Sequence, residues 1–277
     1  DKHIALGAKM VPFGGFEMPI QYTDIVDEHN AVRKASGVFD VSHMGEVLVT
    51  GPEAEKFVQY IFTNDIANAP IGKIYYGMML HETGGTIDDL LVYKMAEHKF
   101  FLVINAANID KDYKWIEEQA ERFNVITENQ SDYYGQVAVQ GPASEEVVER
   151  LLGLTVGELA SYTFKEIEVD GETIIASRTG YTGEDGFELY GSHAYINKVW
   201  DALIASGEVL PCGLGCRDTL RFEVALPLYG HELNDEISPR TAGLNFAVKM
   251  NKPDFIGKAA LEADQPLKER RVGLKVT

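Results

Sequence analysis

The stretch at residues 87–105, IDDLLVYKMAEHKFFLVIN, decides the fold prediction for this chain of 277 residues. Two apolar and aromatic runs, IDDLLVYKM (87–95) and FFLVIN (100–105), flank the polar segment AEHK (96–99). This pattern predicts two antiparallel strands joined by a four-residue loop. Adjacent strand residues point to opposite faces, so we do not expect Asp88 and Asp89 to work as a facing acid/base pair. Only one of them should face a pocket.

The segments on either side of this hairpin alternate between strand and helix patterns. GEVLVTG (45–51) and KIYYGMML (73–80) predict strands, and apolar residues at helical spacing predict a helix between them and another after the hairpin. Two more strands are predicted near VITEN (125–129) and GQVAVQG (135–141). The order strand, helix, three strands, helix, strands is close to a ferredoxin-like α+β module over about residues 45–140.

The tetrapeptide pattern V-x-G-P occurs twice, as VTGP (49–52) and VQGP (139–142), each followed by a predicted helix. A weak internal duplication would produce this pattern. So would the ordinary use of Gly-Pro ahead of a helix, because proline is well accommodated in a first helical turn. The sequence leaves both interpretations open.

The charge of the chain excludes several classes of function. Lys and Arg number 25 and Asp and Glu number 43, which gives a formal net charge of −18. Such a surface repels nucleic-acid phosphates and anionic membranes, so we expect neither as a partner. No apolar run approaches the roughly 20 residues of a membrane span. The charge is compatible with a small-molecule site or with a protein partner that carries a basic patch.

The two cysteines, Cys212 and Cys216, are too few for a disulfide framework, which predicts a reduced, cytoplasmic setting. Structural zinc takes four ligands, and no second Cys or His pair lies nearby in the sequence, so a tight glycine turn is favoured over a metal site. The first residues, DKHIALGAKM (1–10), show neither an initiator Met nor a signal pattern. We therefore expect a processed or trimmed chain.

One candidate binding segment is TGYTGEDGFE (179–188), in which three glycines allow a ligand to approach the backbone closely. Its last residue, Glu188, is predicted on the strand that follows. An ionised carboxylate only accepts hydrogen bonds, so it suits a ligand edge with two parallel N–H donors. The alternative is a glycine-rich hairpin with surface acids.

A second candidate is CGLGCRDTLRFE (212–223), where a glycine turn leads into a helix with Arg217 in its first turn. Arginine there is unfavourable for the helix dipole and needs a bound anion or an acidic neighbour. The alternative is a surface ion pair of Arg217 with Asp185 or Asp218. The pattern is not a dinucleotide fingerprint, because the third glycine is missing.

Two further segments have common structural interpretations. In GGTIDD (84–89), the alternative to a site is a pair of solvated carboxylates beside a turn. His43, within FDVSHMG (39–45), is more often structural than a general base, and Met44 more often fills a core than packs on a flat heterocycle.

Taken together, these segments resemble the T-protein family of the glycine cleavage system, aminomethyltransferases that use tetrahydrofolate. The resemblance extends from the first residue to the last. Two departures are mild: Phe16 and Phe246 stand where family members often have Trp. The motifs that carry the resemblance occur in this order: LGAKMVPFGGFEMPIQY (6–22), FDVSHMGE (39–46), GGTIDDLLVYK (84–94), VINAANIDKD (103–112), VQGP (139–142), SRTGYTGEDGFELY (177–190), CGLGCRDTLRFE (212–223), LYGHELNDEISP (228–239) and DFIGKAAL (254–261).

The resemblance implies transfer of an aminomethyl carbon from the lipoyl arm of the H-protein to tetrahydrofolate, with no metal. It implies that Asp89 is the catalytic carboxylate, that Glu188 binds the pterin edge and that Arg217 belongs to the same folate site. These three groups would then surround a single cavity. Residues implied to line the pocket more loosely are Met44, Tyr76, Asn105 and Tyr181.

The resemblance also implies a discontinuous α+β fold. A folate-binding lobe would comprise 1–45 and 140–245, with the ferredoxin-like module inserted at 46–139. Residues 246–277 would be a tail that leads to the family's C-terminal β-barrel, which we expect to be missing from this sequence.

Three alternatives keep part of this interpretation. A related folate-dependent demethylase would have the same fold without needing an H-protein. A folate-binding protein of iron–sulfur cluster assembly is disfavoured, because DFIGKAA (254–260) does not match the signature Lys-Gly-Cys-Tyr-x-Gly-Gln-Glu. A chain without the last domain could also bind folate and be inactive.

Overall fold

The structure is a computed structural model that describes residues 1–263, 267 and 269–274. Of the predicted tail, residues 264–266, 268 and 275–277 lie outside this description. The strands are β1 Lys9–Phe13, β2 Phe16–Gln21, β3 Gly37–Asp40, β4 Gly45–Thr50, β5 Ile74–Leu80, β6 Thr86–Ala96, β7 Lys99–Ile104, β8 Ile126–Asn129, β9 Tyr134–Gln140, β10 Phe164–Val169, β11 Glu172–Ser177, β12 Gly186–Ser192 and β13 Leu210–Pro211. The α-helices are α1 Lys2–Ala5, α2 Ile25–Lys34, α3 Ala54–Ile61, α4 Ile109–Ala120, α5 Ser144–Leu152, α6 His193–Ser206, α7 Leu214–Glu223 and α8 Lys258–Ala263.

The chain divides into two compact units, and each is discontinuous in sequence. The first unit comprises Asp1–Met44 and Gln130–Leu226, and the second comprises Gly45–Asn129 and Pro227–Thr277. Both units combine helices with a sheet, so the predicted mixture of helix and strand is confirmed.

The first unit contains a six-stranded sheet in the order β10-β11-β12-β9-β3-β13 and a separate hairpin, β1-β2. Neighbouring strands of the six-stranded sheet are antiparallel except for β13, which pairs in parallel with β3. Helix α2 begins at Asp24, whose side chain accepts the Val26 N–H at 2.8 Å, as expected of an N-cap. Helices α5 and α6 both end at a glycine in the left-handed region, Gly153 and Gly207.

Alternation along β9 and β12 gives the first unit two buried faces. Val137 and Val139 of β9 belong to the core that also contains Trp200 of α6, whereas Ala138 between them packs with residues of α2 and α7. Glu188 of β12 pairs with Ala138 across the strands. The period of two therefore directs Glu188 to the face that carries α2 and α7.

The second unit contains a five-stranded sheet in the order β5-β6-β7-β4-β8, all neighbours being antiparallel. The predicted order strand, helix, three strands, helix, strands is confirmed as β4-α3-β5-β6-β7-α4-β8-β9, but the last strand, β9, belongs to the first unit and not to this one. The predicted four-residue loop at 96–99 is wrong. Ala96 pairs with Lys99, which leaves a two-residue turn at Glu97 and His98, because each strand extends one residue further into the polar segment.

One buried lysine, Lys252, links the later part of the second unit to the end of α3 through hydrogen bonds. Lys252 is almost fully buried, and its ammonium donates to the carbonyl oxygens of Gln59 at 2.7 Å, Phe62 at 2.5 Å and Asn64 at 2.8 Å. These carbonyls belong to the last turn of α3 and the residues that follow it. Its donors satisfy orphan carbonyls at the end of α3, and burial lowers the pKa of Lys252 to about 7.

The two V-x-G-P turns adopt the same local structure. Gly51 and Gly141 both have φ of +128°, a value that favours glycine, and each carbonyl accepts the N–H three residues later. A Cβ would also lie 2.7 Å from the Asn124 oxygen at Gly51 and 2.4 Å from the Ala35 oxygen at Gly141. Each turn connects a strand to a helix within its own unit.

Among the helices of the described residues, none combines the length and the apolar character needed to traverse a lipid bilayer.

Candidate active site

Glu188 lies in a polar niche of the first unit. It is 7% exposed, and its carboxylate accepts the Thr179 hydroxyl at 2.5 Å and the Gln136 amide at 3.2 Å. Burial raises the pKa of Glu188, although these two donors and the charge of Arg217 oppose the rise. The two donors also hold the carboxylate in one orientation, with acceptor capacity left for a ligand.

The glycine-rich loop before Glu188 wraps around one buried side chain. Gln140 donates to the Thr179 carbonyl at 3.1 Å and accepts the Thr182 hydroxyl at 2.9 Å. A Cβ on Gly180 would lie 1.9 Å from the Gln140 side-chain oxygen, and a Cβ on Gly186 would lie 2.3 Å from its nitrogen. The close approach that these glycines permit is therefore to Gln140 of the sheet.

The guanidinium of Arg217 lies over the Tyr181 ring, 4.6 Å from its centroid. Both acidic neighbours of the alternative interpretation are paired elsewhere: Asp185 bonds Arg178, and Asp218 bonds Arg221 at 2.8 Å. The surface ion pair predicted as the alternative for Arg217 is therefore wrong. Burial lowers the pKa of Arg217, and within the described part of the chain its guanidinium forms no ion pair. This leaves a half-buried guanidinium whose donors no carboxylate of the described residues takes up.

His43 and Met44 lie at the end of the same unit's first segment. His43 is almost fully buried, and its ring meets those of Phe13 and Phe16 edge to face at 5.6 and 6.3 Å. Burial and then the charge of Arg217 lower the pKa of His43 to about 4, so it is neutral at physiological pH. Met44 packs at the edge of the cluster between the sheet and α7.

Asp89 of the second unit is held by two donors on different elements. The Tyr76 hydroxyl of β5 donates to one carboxylate oxygen at 2.9 Å, and the Asn105 amide donates to the other at 3.0 Å. Burial, and after it the charge of Asp88, raise the pKa of Asp89 to about 7. A carboxyl group with that pKa exchanges a proton readily near neutral pH.

Asp88 and Asp89 share one hydrogen-bond donor, the Asn105 amide, although strand alternation directs them to opposite faces. Asp88 is 0% exposed and Asp89 is half-buried, so only one of the two is accessible, as expected. The Asn105 amide nevertheless lies 2.8 Å from an Asp88 oxygen and 3.0 Å from an Asp89 oxygen. Alternation fixes the direction of a Cβ, but an amide that follows the next strand can contact side chains from both faces near a strand end.

Comparison with known proteins was decisive for the family. The model of the GCVT N-terminal domain matches residues 1–252. An aminomethyltransferase of Lysinibacillus sphaericus (strain C3-41) is 49% identical over 282 residues, which cover 100% of this chain and 77% of that protein. One of Listeria monocytogenes serotype 4b (strain CLIP80459) is 50% identical over 97% of this chain and 73% of its own length. This chain belongs to the GCVT family.

A solved structure supports the same assignment. The glycine cleavage system aminomethyltransferase T from Bartonella henselae superposes with a TM-score of 0.90 at 33% sequence identity, over 95% of this chain and 72% of that one. The GCVT fold thus accounts for both discontinuous units.

In this GCVT chain, sequence reasoning predicted Asn105 as a pocket residue but missed two other polar residues around Asp88, Asn108 and Asp112. Asn105, Asn108 and Asp112 follow β7 at spacings of three and four, which places them on one face of the helical segment. Asn108 donates to Asp88 at 2.8 Å, and Asp112 is 0% exposed. The signal was the spacing of three polar residues directly after a buried strand.

The two cysteines of this GCVT chain, Cys212 and Cys216, lie close to the carboxylate of Glu28. One ligand-type atom each from Glu28, Cys212 and Cys216 lies within 4.8 Å of the others. The Glu28 carboxylate, however, accepts the backbone N–H groups of Tyr22 at 2.6 Å and Gly213 at 2.8 Å. A hydrogen bond with the Cys216 thiol, and after it burial, raise the pKa of Cys212, which favours the protonated thiol. The group joins the end of β2 to the start of α7 through hydrogen bonds.

Proposed function

We propose that this chain is a tetrahydrofolate-dependent aminomethyltransferase of the glycine cleavage system. It would transfer the aminomethyl carbon from the lipoyl arm of the H-protein to tetrahydrofolate, and release ammonia and the dihydrolipoyl arm. The observation that carries this proposal is the similarity of the whole chain to aminomethyltransferases at 45–50% identity. The two clusters described above supply the residues.

The transfer balances without a redox partner. The carbon gains two bonds to the folate nitrogens, which gives 5,10-methylenetetrahydrofolate, and loses its bonds to sulfur and to the amino nitrogen. Two protons leave the folate nitrogens, one ending on ammonia and one on the thiol. The reaction needs positioning and one proton acceptor, and no residue described here is required to hold a metal for it.

Glu188 and Arg217 are the residues we assign to folate. The Glu188 carboxylate, buried and fixed by Thr179 and Gln136, would accept hydrogen bonds from the 2-amino group and N3–H of the pterin. Arg217 has no carboxylate partner among the described residues and would pair with a carboxylate of the ligand. Met44 and Tyr181 would line the same pocket.

Asp89 is the residue we assign to catalysis, with Tyr76 and Asn105 as neighbours that orient it. A folate nitrogen is a weak nucleophile, and a carboxylate that accepts its hydrogen makes it a stronger one. A pKa near neutrality suits this task, because the group is then substantially ionised and still basic.

We also propose the finer organisation that the family implies. The two units differ from the bounds that the family implies, which are a module at 46–139, a lobe at 1–45 and 140–245 and a tail at 246–277: residues 130–139 belong to the first unit, and residues 227–263 belong to the second. The first unit would be the folate-binding lobe, and the second would be the inserted ferredoxin-like module. This chain covers about three-quarters of the length of its relatives. The protein would act in the cytoplasm with the lipoylated H-protein as its partner.

The proposal predicts that Asp89→Asn lowers turnover about 100-fold or more while the Kd for tetrahydrofolate changes less than about twofold, because a positioned base contributes 10²–10⁴-fold. The measurement is exchange of labelled bicarbonate into glycine with the other cleavage-system proteins, together with calorimetry of folate binding. Asp110→Asn, an exposed acid on α4, is the matched control. Unchanged turnover in Asp89→Asn would show that another group does the chemistry.

The same exchange assay distinguishes an aminomethyltransferase from the main alternative, a folate-dependent demethylase. A folate-dependent demethylase would bind tetrahydrofolate but would not support exchange that depends on the H-protein. Folate binding without exchange, at saturating H-protein, would therefore contradict the aminomethyltransferase proposal.

A further inference from the structure

Asp88 is the most completely buried acid beside the proposed catalytic residue, and the proposed function gives it no role. It is 0% exposed and follows a β-bulge, since Met79 pairs with Asp88 while Leu80 pairs with Thr86. Bulges re-aim side chains, and they are over-represented next to active sites. The bulge at Ile87 sets the direction of the two carboxylates that follow it.

Three N–H groups bind the Asp88 carboxylate. One oxygen accepts the backbone N–H of Asn105 at 2.9 Å, and the other accepts the side-chain amides of Asn105 and Asn108, both at 2.8 Å. Hydrogen bonds to the ionised form stabilise it, so this site is built for a negative charge.

The Asn105 amide connects Asp88 to Asp89. Its nitrogen lies 2.8 Å from the Asp88 oxygen, 3.0 Å from the Asp89 side-chain oxygen and 3.1 Å from the Asp89 carbonyl. Because Asp88 binds both the backbone and the side chain of Asn105, the amide has little freedom to rotate. Its second contact therefore fixes one oxygen of Asp89, while Tyr76 fixes the other.

Asp112 leaves the negative charge of this cluster on Asp88. Asp112 is 0% exposed in the first turn of α4, and when protonated its side chain hydrogen-bonds to Asp88. Burial, and then the charge of Asp88, raise the pKa of Asp112 to about 11, so it is neutral at physiological pH. The nearest cation is Lys111, whose ammonium lies 3.7 Å from Asp112.

We propose that Asp88 is a positioning residue for Asp89: it holds the Asn105 amide that orients the Asp89 carboxylate, and its negative charge makes Asp89 a better proton acceptor. This inference rests on the proposed catalytic role of Asp89. The titratable or charged groups that face the pair are Tyr76 of β5, Lys111 and Asp112 of α4, and Tyr229 and Asp235 of the 227–263 segment.

The first test is Asp88→Asn, which removes the charge and places a donor where Asn105 needs an acceptor. We expect kcat for glycine–bicarbonate exchange to fall about 10- to 100-fold, the cost of a misplaced catalytic group, with KM for tetrahydrofolate within about twofold. A parallel fall in folate affinity, or kcat within twofold of the parent, would overturn the proposal.

The second measurement does not depend on activity. ¹³C NMR of aspartate-labelled protein, assigned with Asp89→Asn, follows the titration of Asp89 without folate or H-protein. The midpoint should move to lower pH in Asp88→Asn and stay in place in Asp112→Asn, where the group replaced is already neutral. An unmoved midpoint in Asp88→Asn contradicts the charge effect. If Asp89→Asn is active while the Asp89 midpoint still moves in Asp88→Asn, only the proposed catalytic role of Asp89 is contradicted.

A double-mutant cycle tests the route through Asn105. If Asp88 acts by holding that amide, Asp88→Asn and Asn105→Ala should each lower kcat, and together lower it no further than the larger single effect. If the decrease in kcat of the double variant equals the product of the two single decreases, Asp88 does not act through Asn105. Should Asp88→Asn fail to fold by circular dichroism, Asn108→Ala replaces it, because Asn108 binds Asp88 and not Asp89. A parent-like kcat and Asp89 midpoint in that variant would then contradict the proposal.

Discussion

Two arginines of the first unit, Arg178 and Arg217, differ in whether acidic side chains of the fold pair with them. Arg178 contacts both Glu145 and Asp185 and also donates to the Leu159 carbonyl at 3.0 Å, so its donors are used within the fold. Arg217 is half-buried against Tyr181 without such partners among the residues described. A carboxylate of the ligand, as proposed for tetrahydrofolate, would complete its hydrogen bonding.

Glu188→Gln is predicted to weaken tetrahydrofolate binding about 10- to 100-fold, because an amide presents a donor where the pterin edge needs acceptors and a charged hydrogen bond contributes about 1.5–3 kcal/mol. Calorimetric titration with tetrahydrofolate measures this. Glu166→Gln, an exposed acid on β10, is the control and should bind like the parent. Equal Kd values for Glu188→Gln and the parent would show that the carboxylate does not contact folate.

At the scale of elements, strands and helices follow one another in the same order in the two units. In the second unit the order is β4-α3-β5-β6-β7-α4-β8, and in the first it is β9-α5-β10-β11-β12-α6-β13. The sheets arrange the matching strands alike, except that β3 lies between β9 and β13. With the shared turn geometry at Gly51 and Gly141, this favours the internal duplication over the chance use of Gly-Pro.

The loop before β6 depends on a residue without a side chain. A Cβ on Gly85 would lie 1.7 Å from the Asp235 carbonyl oxygen, where Thr86 also bonds the Asn234 and Ile237 carbonyls. Gly85→Ala is therefore predicted to destabilise the protein by about 1–3 kcal/mol, the usual cost of overpacking. Urea unfolding followed by circular dichroism measures the change.

The control for this prediction is Gly273→Ala, where an added Cβ has nothing within 4 Å. It should unfold at the same urea concentration as the parent. If Gly85→Ala is equally unaffected, the 234–237 segment is not fixed against the start of β6.

At the scale of the whole molecule, some of the many carboxyl groups of this acidic chain are buried. The chain carries a net charge of −18, and burial raises the pKa of Asp89, Asp112 and Glu188. A carboxyl whose pKa is higher in the folded than in the unfolded state makes stability fall as pH rises through the interval between the two values. These groups oppose the usual gain from ionised surface acids.

Asp112 gives a direct test of that effect. Its unfolded pKa is near 4 and its folded pKa is about 11, so its stabilising contribution is complete below pH 4 and declines as pH rises between these values. Asp112→Asn removes the decline. The free energy of unfolding of the parent, relative to this variant, should fall by up to about 1.4 kcal/mol per pH unit from pH 5 to 8.

Urea unfolding at four pH values measures that trend. Asp110→Asn, an exposed change two residues earlier on α4, is the control and should show no comparable slope. A pH-independent difference between the parent and Asp112→Asn would mean that Asp112 is ionised in the folded protein.

Sequence patterns predicted the second unit's elements better than its polar contacts. Period-two and helical spacing located β4 to β8 because each element buries its own apolar face. The same rule directed Asp88 and Asp89 to opposite faces, but it contains no information on Asn105, which follows β7 and donates to both. The surface pairing of Arg217 with Asp185 failed for the same reason, because Arg178 takes that carboxylate.

The amino-acid order by itself determined the mixture of strands and helices, the glycines at 51 and 141, and the family, because these depend on local periodicity, backbone conformation and motif order. Only the tertiary structure decided which acids are buried, which are paired and which keep a proton. Those properties depend on neighbours far away in the chain: Tyr76 for Asp89, and Gln136 and Thr179 for Glu188. Desolvation and hydrogen bonding act through space, so the chemistry of each carboxyl group is set after the chain has folded.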